Sequence, residues 1–334
     1  MSGANTRLKE YEALRALSIL LLFALHSEVF DPIIFGETIG GPLAVFVASF
    51  LLGSFFFLSG YFTEVSLSKP ERNGVAFAWS KFIRIFPPYW FALLLFIIVM
   101  EYNLNKTGLA VYALNLQAVF SPTFVKPLLT LWYISMLVVF YILYGVLMVN
   151  IRSNWGLLIG SLVIFAGAYW AHMSVGLFDL RFFQYYFLFL AGVYFCRFES
   201  IRIHLFSWNG LIKVFLAFLS IWLFALVLNA GLEMIHGLYI LAVDFFILSW
   251  ILLTLSIFRT KFGDWPGWVW ISTASFFAYL FHRPLWYAMD GFFGLEPGPT
   301  RVWVHLVPGA ILALILGYVL QIGYDRLLAV LRLK

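Results

Sequence analysis

Glu12-Ala-Leu-Arg15-Ala-Leu-Ser-Ile-Leu-Leu-Leu-Phe-Ala-Leu-His26 places two costly polar side chains, Arg15 and His26, in a segment otherwise apolar enough for lipid. At about 100° per residue, eleven positions return a helix to nearly the same face, so both side chains line one stripe roughly 16 Å apart along the axis. Ionisable residues inside apolar helices line protein interiors or cavities and mark functional sites. The spacing suits a cationic anchor near one membrane surface and an imidazole near the middle of the span.

The rest of the chain agrees with a membrane setting. Of 334 residues, 63% are hydrophobic and 11% charged, and the mean hydropathy is +0.95, far from soluble averages. The net charge of +5 is scattered among connections, without a basic aromatic stripe, so nucleic acid is not an expected partner. The lone Cys196 excludes an intrachain disulfide framework, and His172, His204 and His305 share no metal-ligand spacing. No metal is expected. Arg7 and Lys9 precede a long apolar run with no small-residue cleavage pattern, which reads as a retained span.

About 20 apolar residues cross a bilayer, and ten segments qualify: 13–32, 42–65, 84–101, 128–149, 155–174, 180–197, 210–230, 236–258, 267–291 and 302–324. The stretch Leu109–Phe120 is too short and reads as an interfacial or re-entrant piece. The expected fold class is all-α, a polytopic integral membrane protein of about ten transmembrane helices forming one domain over 1–334, with no fused soluble domain. Of the 21 lysines and arginines, sixteen fall on one side of this topology, including Arg7, Lys69, Arg72, Arg152 and Lys334. Only Lys106, Lys126, Arg181 and Arg301 fall on the other, with Arg283 inside a span. The positive-inside rule then makes both termini cytoplasmic, in an inner or plasma membrane.

Further islands complete a pattern: Phe55-Phe-Phe-Leu-Ser59-Gly60-Tyr61, Lys81-Phe-Ile-Arg84-Ile-Phe-Pro87-Pro88-Tyr89-Trp90, Leu131-Trp132-Tyr133-Ile134, Phe187-Leu-Phe-Leu-Ala-Gly192 and Tyr279-Leu-Phe-His282-Arg283-Pro284. With Glu12, Arg15 and His26, this ordered set resembles acyltransferase family 3, multi-pass membrane enzymes that O-acylate glycans and other acceptors. The resemblance implies transfer of an acyl group, most often acetyl, from cytosolic acyl-CoA to a hydroxyl at the outer face.

Residue chemistry runs the same way. A near-neutral imidazole can remove a hydroxyl proton, or itself attack a thioester, so His26 is the expected general base or acyl carrier. Arg15, Lys81 and Arg84 can bind coenzyme A phosphates through charge-assisted hydrogen bonds. The family often has two arginines at the helix 3 positions where this chain has Lys81 and Arg84, and lysine lacks the bidentate fork.

Glu12, Ser59, Trp132, Tyr133, Tyr279 and His282 are the candidate substrate contacts. Several candidate residues have a structural alternative. Arg15 can snorkel with Glu12 as partner, and His26 and His282 can bridge helices. Ser59-Gly60 can serve close packing, while Trp132 and Tyr133 can belong to an aromatic belt. Asp244, in mid-span, should pair with a cation or line the cavity, whereas Asp179, Arg181, Glu233 and His236 read as solvated loop charges.

The expected partners are the bilayer, acyl-CoA, a glycan or small hydroxyl acceptor, and a separate extracytoplasmic transferase if transfer is completed outside. A competing reading is a transporter or flippase for a glycan or lipid-linked precursor, using Arg15, His26 and Asp244 as a polar path.

Overall fold

A computed structural model describes residues 8–31, 34, 36–68, 73–151 and 153–333, so Arg7, Lys69, Arg72, Arg152 and Lys334 of the charge count lie outside the described residues. The described residues form helices and connections without a strand. The main helices are α1 (Lys9–His26), α2 (Glu37–Leu67), α3 (Gly74–Ile98), α6 (Trp132–Ile142), α7 (Asn154–Val175), α8 (Leu180–Arg197), α10 (Gly210–Asn229), α11 (Gly237–Phe258), α12 (Pro266–Phe293) and α14 (Ala310–Val330). Shorter helices are α4 (Lys106–Ala113), α5 (Gln117–Phe120), α9 (Glu199–Ser207) and α13 (Pro299–Val304). A 3₁₀ turn, Leu129–Leu131, leads into α6, and π turns at Leu143–Leu147 and His305–Gly309 extend α6 and join α13 to α14.

Each of the ten predicted segments is helical, but several bounds move. The first was expected over 13–32 and ends at His26, because Glu28 takes a positive φ of 67° and Asp31 precedes a proline, which disfavours the helical region. His26 is therefore the last residue of α1, not a mid-helix residue. The third segment begins at Gly74, ten residues before the predicted start, because the Asn73 side chain caps it by accepting from the Ala76 N–H at 2.8 Å. Leu109–Phe120, expected to be too short to cross, becomes α4 and α5, broken at Asn115 with φ 59°.

Helix α3 runs unbroken through Pro87 and Pro88. Pro87 has no N–H to give the Ile83 carbonyl four residues earlier; the Tyr324 hydroxyl of α14 donates to that oxygen instead.

Among the described residues, seven stretches are long and apolar enough to cross a membrane: Ile39–Leu67, Gly74–Ile98, Leu129–Leu147, Asn154–Val175, Gly210–Asn229, Gly237–Phe258 and Pro299–Val330. The helices outside that set, α1, α8 and α12, carry polar stripes and long series of buried residues. They form the inside of the bundle: α1 packs on α2 and α12, α2 on α8, and α12 on α14. Helices α7 and α10 are the opposite case, with only 17% and 22% of their apolar windows buried, against 72% for the α6 stretch. Lipid-facing helices must be apolar all round, whereas interior helices can carry polar groups that face protein or a wet cavity.

Close approach of α2 and α8 is set by two glycines. A Cβ on Gly60 would lie 1.9 Å from the Phe189 carbonyl oxygen, and one on Gly192 would lie 2.0 Å from that of Phe57. The backbones touch where side chains are absent, as in small-residue interfaces of membrane helices.

Candidate active site

Helices α1 and α12 run side by side, each bearing a polar stripe. On α1 the stripe holds Glu12, Arg15 and His26; on α12 it holds Ser272, Ser275, Tyr279 and His282, spaced by three and four residues on one face. With α2 and α6 they enclose two chambers. The larger, about 420 Å³, is lined by Glu12 and Arg15 of α1, Ser59 of α2, Arg84 of α3, Tyr133 and Tyr141 of α6, and Ser272, Ser275 and Tyr279 of α12, with Gln321 and Asp325 of α14. The smaller, about 210 Å³, is lined by Leu22, Leu25, His26, Leu51, Leu52, Leu129, Thr130, Trp132, Tyr279 and Arg283. Tyr279 lines both, and its hydroxyl donates to the Thr130 carbonyl. Its ring packs against that of Tyr133, centroids 5.3 Å apart.

In the larger chamber Arg15 and Arg84 have no hydrogen-bond or ion-pair partner among the described residues. Arg15 is not paired with Glu12 as a snorkelling anchor would be; its guanidinium lies 5.0 Å from the centroid of Phe62. Glu12 accepts from the Ser272 hydroxyl. Ser59 lines this chamber together with Tyr133 and Tyr141, and Gln321 donates to Asp325 at 3.0 Å. Two guanidinium groups without carboxylate partners in one chamber are suited to an anionic ligand.

In the smaller chamber His26 Nδ1 lies 2.8 Å from His282 Nε2. The rings are parallel to within 3°, with centroids 5.0 Å apart, which puts the bond in both ring planes. His282 is fully buried, and its Nδ1 lies 2.8 Å from the Tyr279 carbonyl oxygen. A carbonyl only accepts, so His282 Nδ1 carries a proton. In the neutral pair His282 Nε2 must then accept, so His26 Nδ1–H donates to it. This network assigns the free lone pair to His26 Nε2. Phe23 and Trp286 hold the His282 ring from two sides.

Eight of the predicted site residues meet in these chambers: Glu12, Arg15, Ser59, Arg84, Tyr133 and Tyr279 in the larger, with His26, Trp132 and again Tyr279 in the smaller. His282 sits behind His26. Lys81 lies elsewhere, on an adjacent apolar cavity of about 220 Å³ shared with Tyr141; its ammonium is 4.3 Å from the Tyr141 centroid.

Asp244 fails both expectations placed on it: it lines neither chamber, and its Oδ1 is buried without a partner. Asp179 and Arg181 are not loose loop charges. Asp179 is 5% exposed and caps α8 by accepting from the Arg181 N–H at 3.0 Å. It also holds the Arg181 side chain at 2.7 and 2.5 Å, placing that guanidinium 3.8 Å from the Trp132 centroid. The first-turn capping position was the signal for this fixed geometry.

Sequence reasoning missed Ser272, Ser275, Tyr141, Gln321 and Asp325 of the larger chamber, and Thr130 and Arg283 of the smaller. The serines were detectable as part of the Ser272-Ser275-Tyr279-His282 stripe. Gln321 and Asp325, one turn apart, mark the chamber-facing side of an apolar helix in the same way.

Residues 8–322 match the family profile described as acyltransferase domain. No curated protein matches the chain, and no solved structure does. With the profile covering nearly the whole sequence, and seven stretches able to cross a bilayer, the chain belongs to the acyltransferase 3 family and is a membrane acyltransferase.

Proposed function

We propose that this protein moves a short acyl group, acetyl in the first instance, from cytosolic acyl-CoA to a hydroxyl of a glycan or other acceptor at the outer face of the inner or plasma membrane. The observation that carries the reading is the pair of adjoining chambers. One holds two arginines without ion-pair partners among the described residues, the other an oriented imidazole, and Tyr279 lines both.

The Arg15 end of α1 is cytoplasmic on the charge distribution of the sequence, which leaves the His26 end facing the outer half of the bilayer. Arg15 and Arg84 take coenzyme A phosphates, with the acyl arm directed toward Tyr279. Lys81, on the neighbouring cavity, adds positive potential without touching the arm. Glu12, Ser59, Tyr133 and Tyr279 line the path of the arm, and Trp132 flanks the acceptor hydroxyl.

His26 Nε2 removes the hydroxyl proton as oxygen attacks the thioester carbonyl, and the thiolate leaves with a proton from the imidazolium. His282 is a positioning residue: it fixes the His26 tautomer and accepts its Nδ1 hydrogen bond, while the Tyr279 carbonyl fixes His282. If the same lone pair attacks the thioester carbonyl instead, the carbon–sulfur bond breaks, coenzyme A leaves as the thiolate, and the acyl-histidine passes its group to a separate extracytoplasmic transferase or a small acceptor. The flippase reading needs Asp244 on a path with Arg15 and His26, and Asp244 lines neither chamber.

The test is cleavage of labelled acetyl-CoA by purified protein in nanodiscs, wild type beside folded His26→Ala. Label released or retained by the wild type and lost in the variant is the expected result. Equal label handling by both proteins would remove His26 from the chemistry, and inert wild type across a panel of acyl-CoA donors would defeat the acyltransfer assignment from this donor.

A further inference from the structure

Two residues that line the smaller chamber each carry a buried polar atom that the scheme above leaves unused. Arg283 Nε and Thr130 Oγ1 are both buried with no hydrogen-bond partner, and both residues line the chamber that holds His26. A buried unsatisfied donor costs free energy, and two beside one catalytic base call for a reason.

Arg283 is not left over from an ordinary ion pair. The nearby carboxylates on this end of the bundle are already engaged: Glu28 accepts from Arg301, and Asp290 lies 2.7 Å from His305 Nε2. Among the described residues Arg283 makes no ion pair within 4.0 Å, and Glu28 acts on it only from a distance. Thr130 is held in place at a cost. It sits in the 3₁₀ turn Leu129–Leu131, whose first residue, Leu129, has a φ of 28°, a conformation a branched side chain rarely adopts. The Tyr279 hydroxyl pins the Thr130 carbonyl. Backbone strain of this kind persists only where surrounding contacts enforce it, and it gathers at functional sites.

We infer that Arg283 Nε–H and the Thr130 hydroxyl together bind the carbonyl oxygen of the transferring acyl group and stabilise the negative charge it acquires. The assignment rests on the acyltransfer reading and names two further catalytic residues within it. As the acceptor oxygen bonds to the thioester carbonyl carbon, its proton passes to His26 Nε2 and the carbonyl π pair moves onto oxygen. That oxyanion receives hydrogen bonds from Arg283 and Thr130. When the pair returns, the carbon–sulfur bond breaks and the thiolate takes the proton from His26.

Five leucines line the rest of the chamber. A charge that exists only in the transition state gains most from donors already in place.

The experiment uses full-length protein in nanodiscs with labelled acetyl-CoA, comparing wild type, Arg283→Gln, Arg283→Lys, Thr130→Val and Thr130→Ser. Each variant is checked for a wild-type gel-filtration profile and for coenzyme A binding. The expected result is a fall in kcat on the order of 10²–10³-fold for Arg283→Gln, the loss seen when one oxyanion donor is removed, with KM for acetyl-CoA and coenzyme A affinity unchanged. Thr130→Val loses turnover and Thr130→Ser, which keeps the hydroxyl, regains most of it.

Folded Arg283→Gln with wild-type kcat overturns the inference, as does a raised KM at constant kcat. If Arg283→Gln does not fold, Thr130→Val against Thr130→Ser decides alone, and equal turnover in that pair overturns the inference. Active wild type with indifferent variants sinks this assignment only; wild type that cleaves no acetyl-CoA overturns the reading it rests on as well.

Discussion

His26 and His282 make a chain of three hydrogen-bonding groups that ends on a backbone carbonyl, and the chain is directional. Because the Tyr279 oxygen cannot donate, each proton in the neutral pair has one place to be, and His26 Nε2 is left free. This gives a test that separates positioning from simple structural support. His282→Gln, whose amide oxygen can still accept from His26 Nδ1–H, should retain more acetyl-CoA turnover than His282→Leu, with both proteins folded; equal turnover in the two would mean that the hydrogen bond is unimportant. His26→Ala should lose turnover on the order of 10²–10⁴-fold, the usual contribution of a general base, while retaining coenzyme A binding. At the other end of α1, Arg15→Ala and Arg84→Ala should each weaken coenzyme A binding by about 1.5–3 kcal/mol, or roughly 10–150-fold in Kd, as expected for a lost charge-assisted hydrogen bond. Isothermal titration in nanodiscs would measure it.

Single elements carry their own constraints. In α3 two consecutive prolines remove two backbone donors, and where the helix continues through them a side chain from α14 supplies one replacement. Removing that hydroxyl in Tyr324→Phe should lower the melting temperature in detergent, by a free energy of about 1–3 kcal/mol, as the Ile83 carbonyl loses its partner. The α2–α8 contact is stricter. Gly192→Ala sets a methyl group against the Phe57 backbone, which cannot move as a side-chain tip can. It should cost about 3 kcal/mol, at the upper end of ordinary overpacking, and a thermal melt with no change would mean that the helices can separate freely. Helices α1, α8 and α12 fall outside the apolar set for the same reason that they matter: their polar residues face inward.

At the scale of the molecule, both chambers are walled by α1, α2, α12 and the α6 stretch, and Tyr279 is common to the two linings. The two compartments correspond to a donor side and an acceptor side only if the bundle has the orientation implied by its charges. With Cys196 replaced by alanine, single cysteines at Lys106 and Lys126 should react with an impermeant maleimide added to intact cells, and one at Lys261 should not. The reverse pattern would place Arg15 and Arg84 outside and remove the access of cytosolic acyl-CoA.

The sequence by itself determined the membrane class, the ten helical segments and eight of the residues that line the chambers, because lipid tolerates so few polar groups that each one announces an interior face. It misjudged where those groups sat along a helix: His26 became terminal because Glu28 and Asp31 turn the chain, a local backbone effect that hydropathy does not register. Only the tertiary structure decided which polar groups meet. Pairing His26 with His282 spans 256 positions, and leaving Arg283 unpaired depends on Arg301 and His305 claiming the neighbouring carboxylates. Such pairings are fixed by how helices pack against one another, and the spacing of residues within any one helix does not contain them.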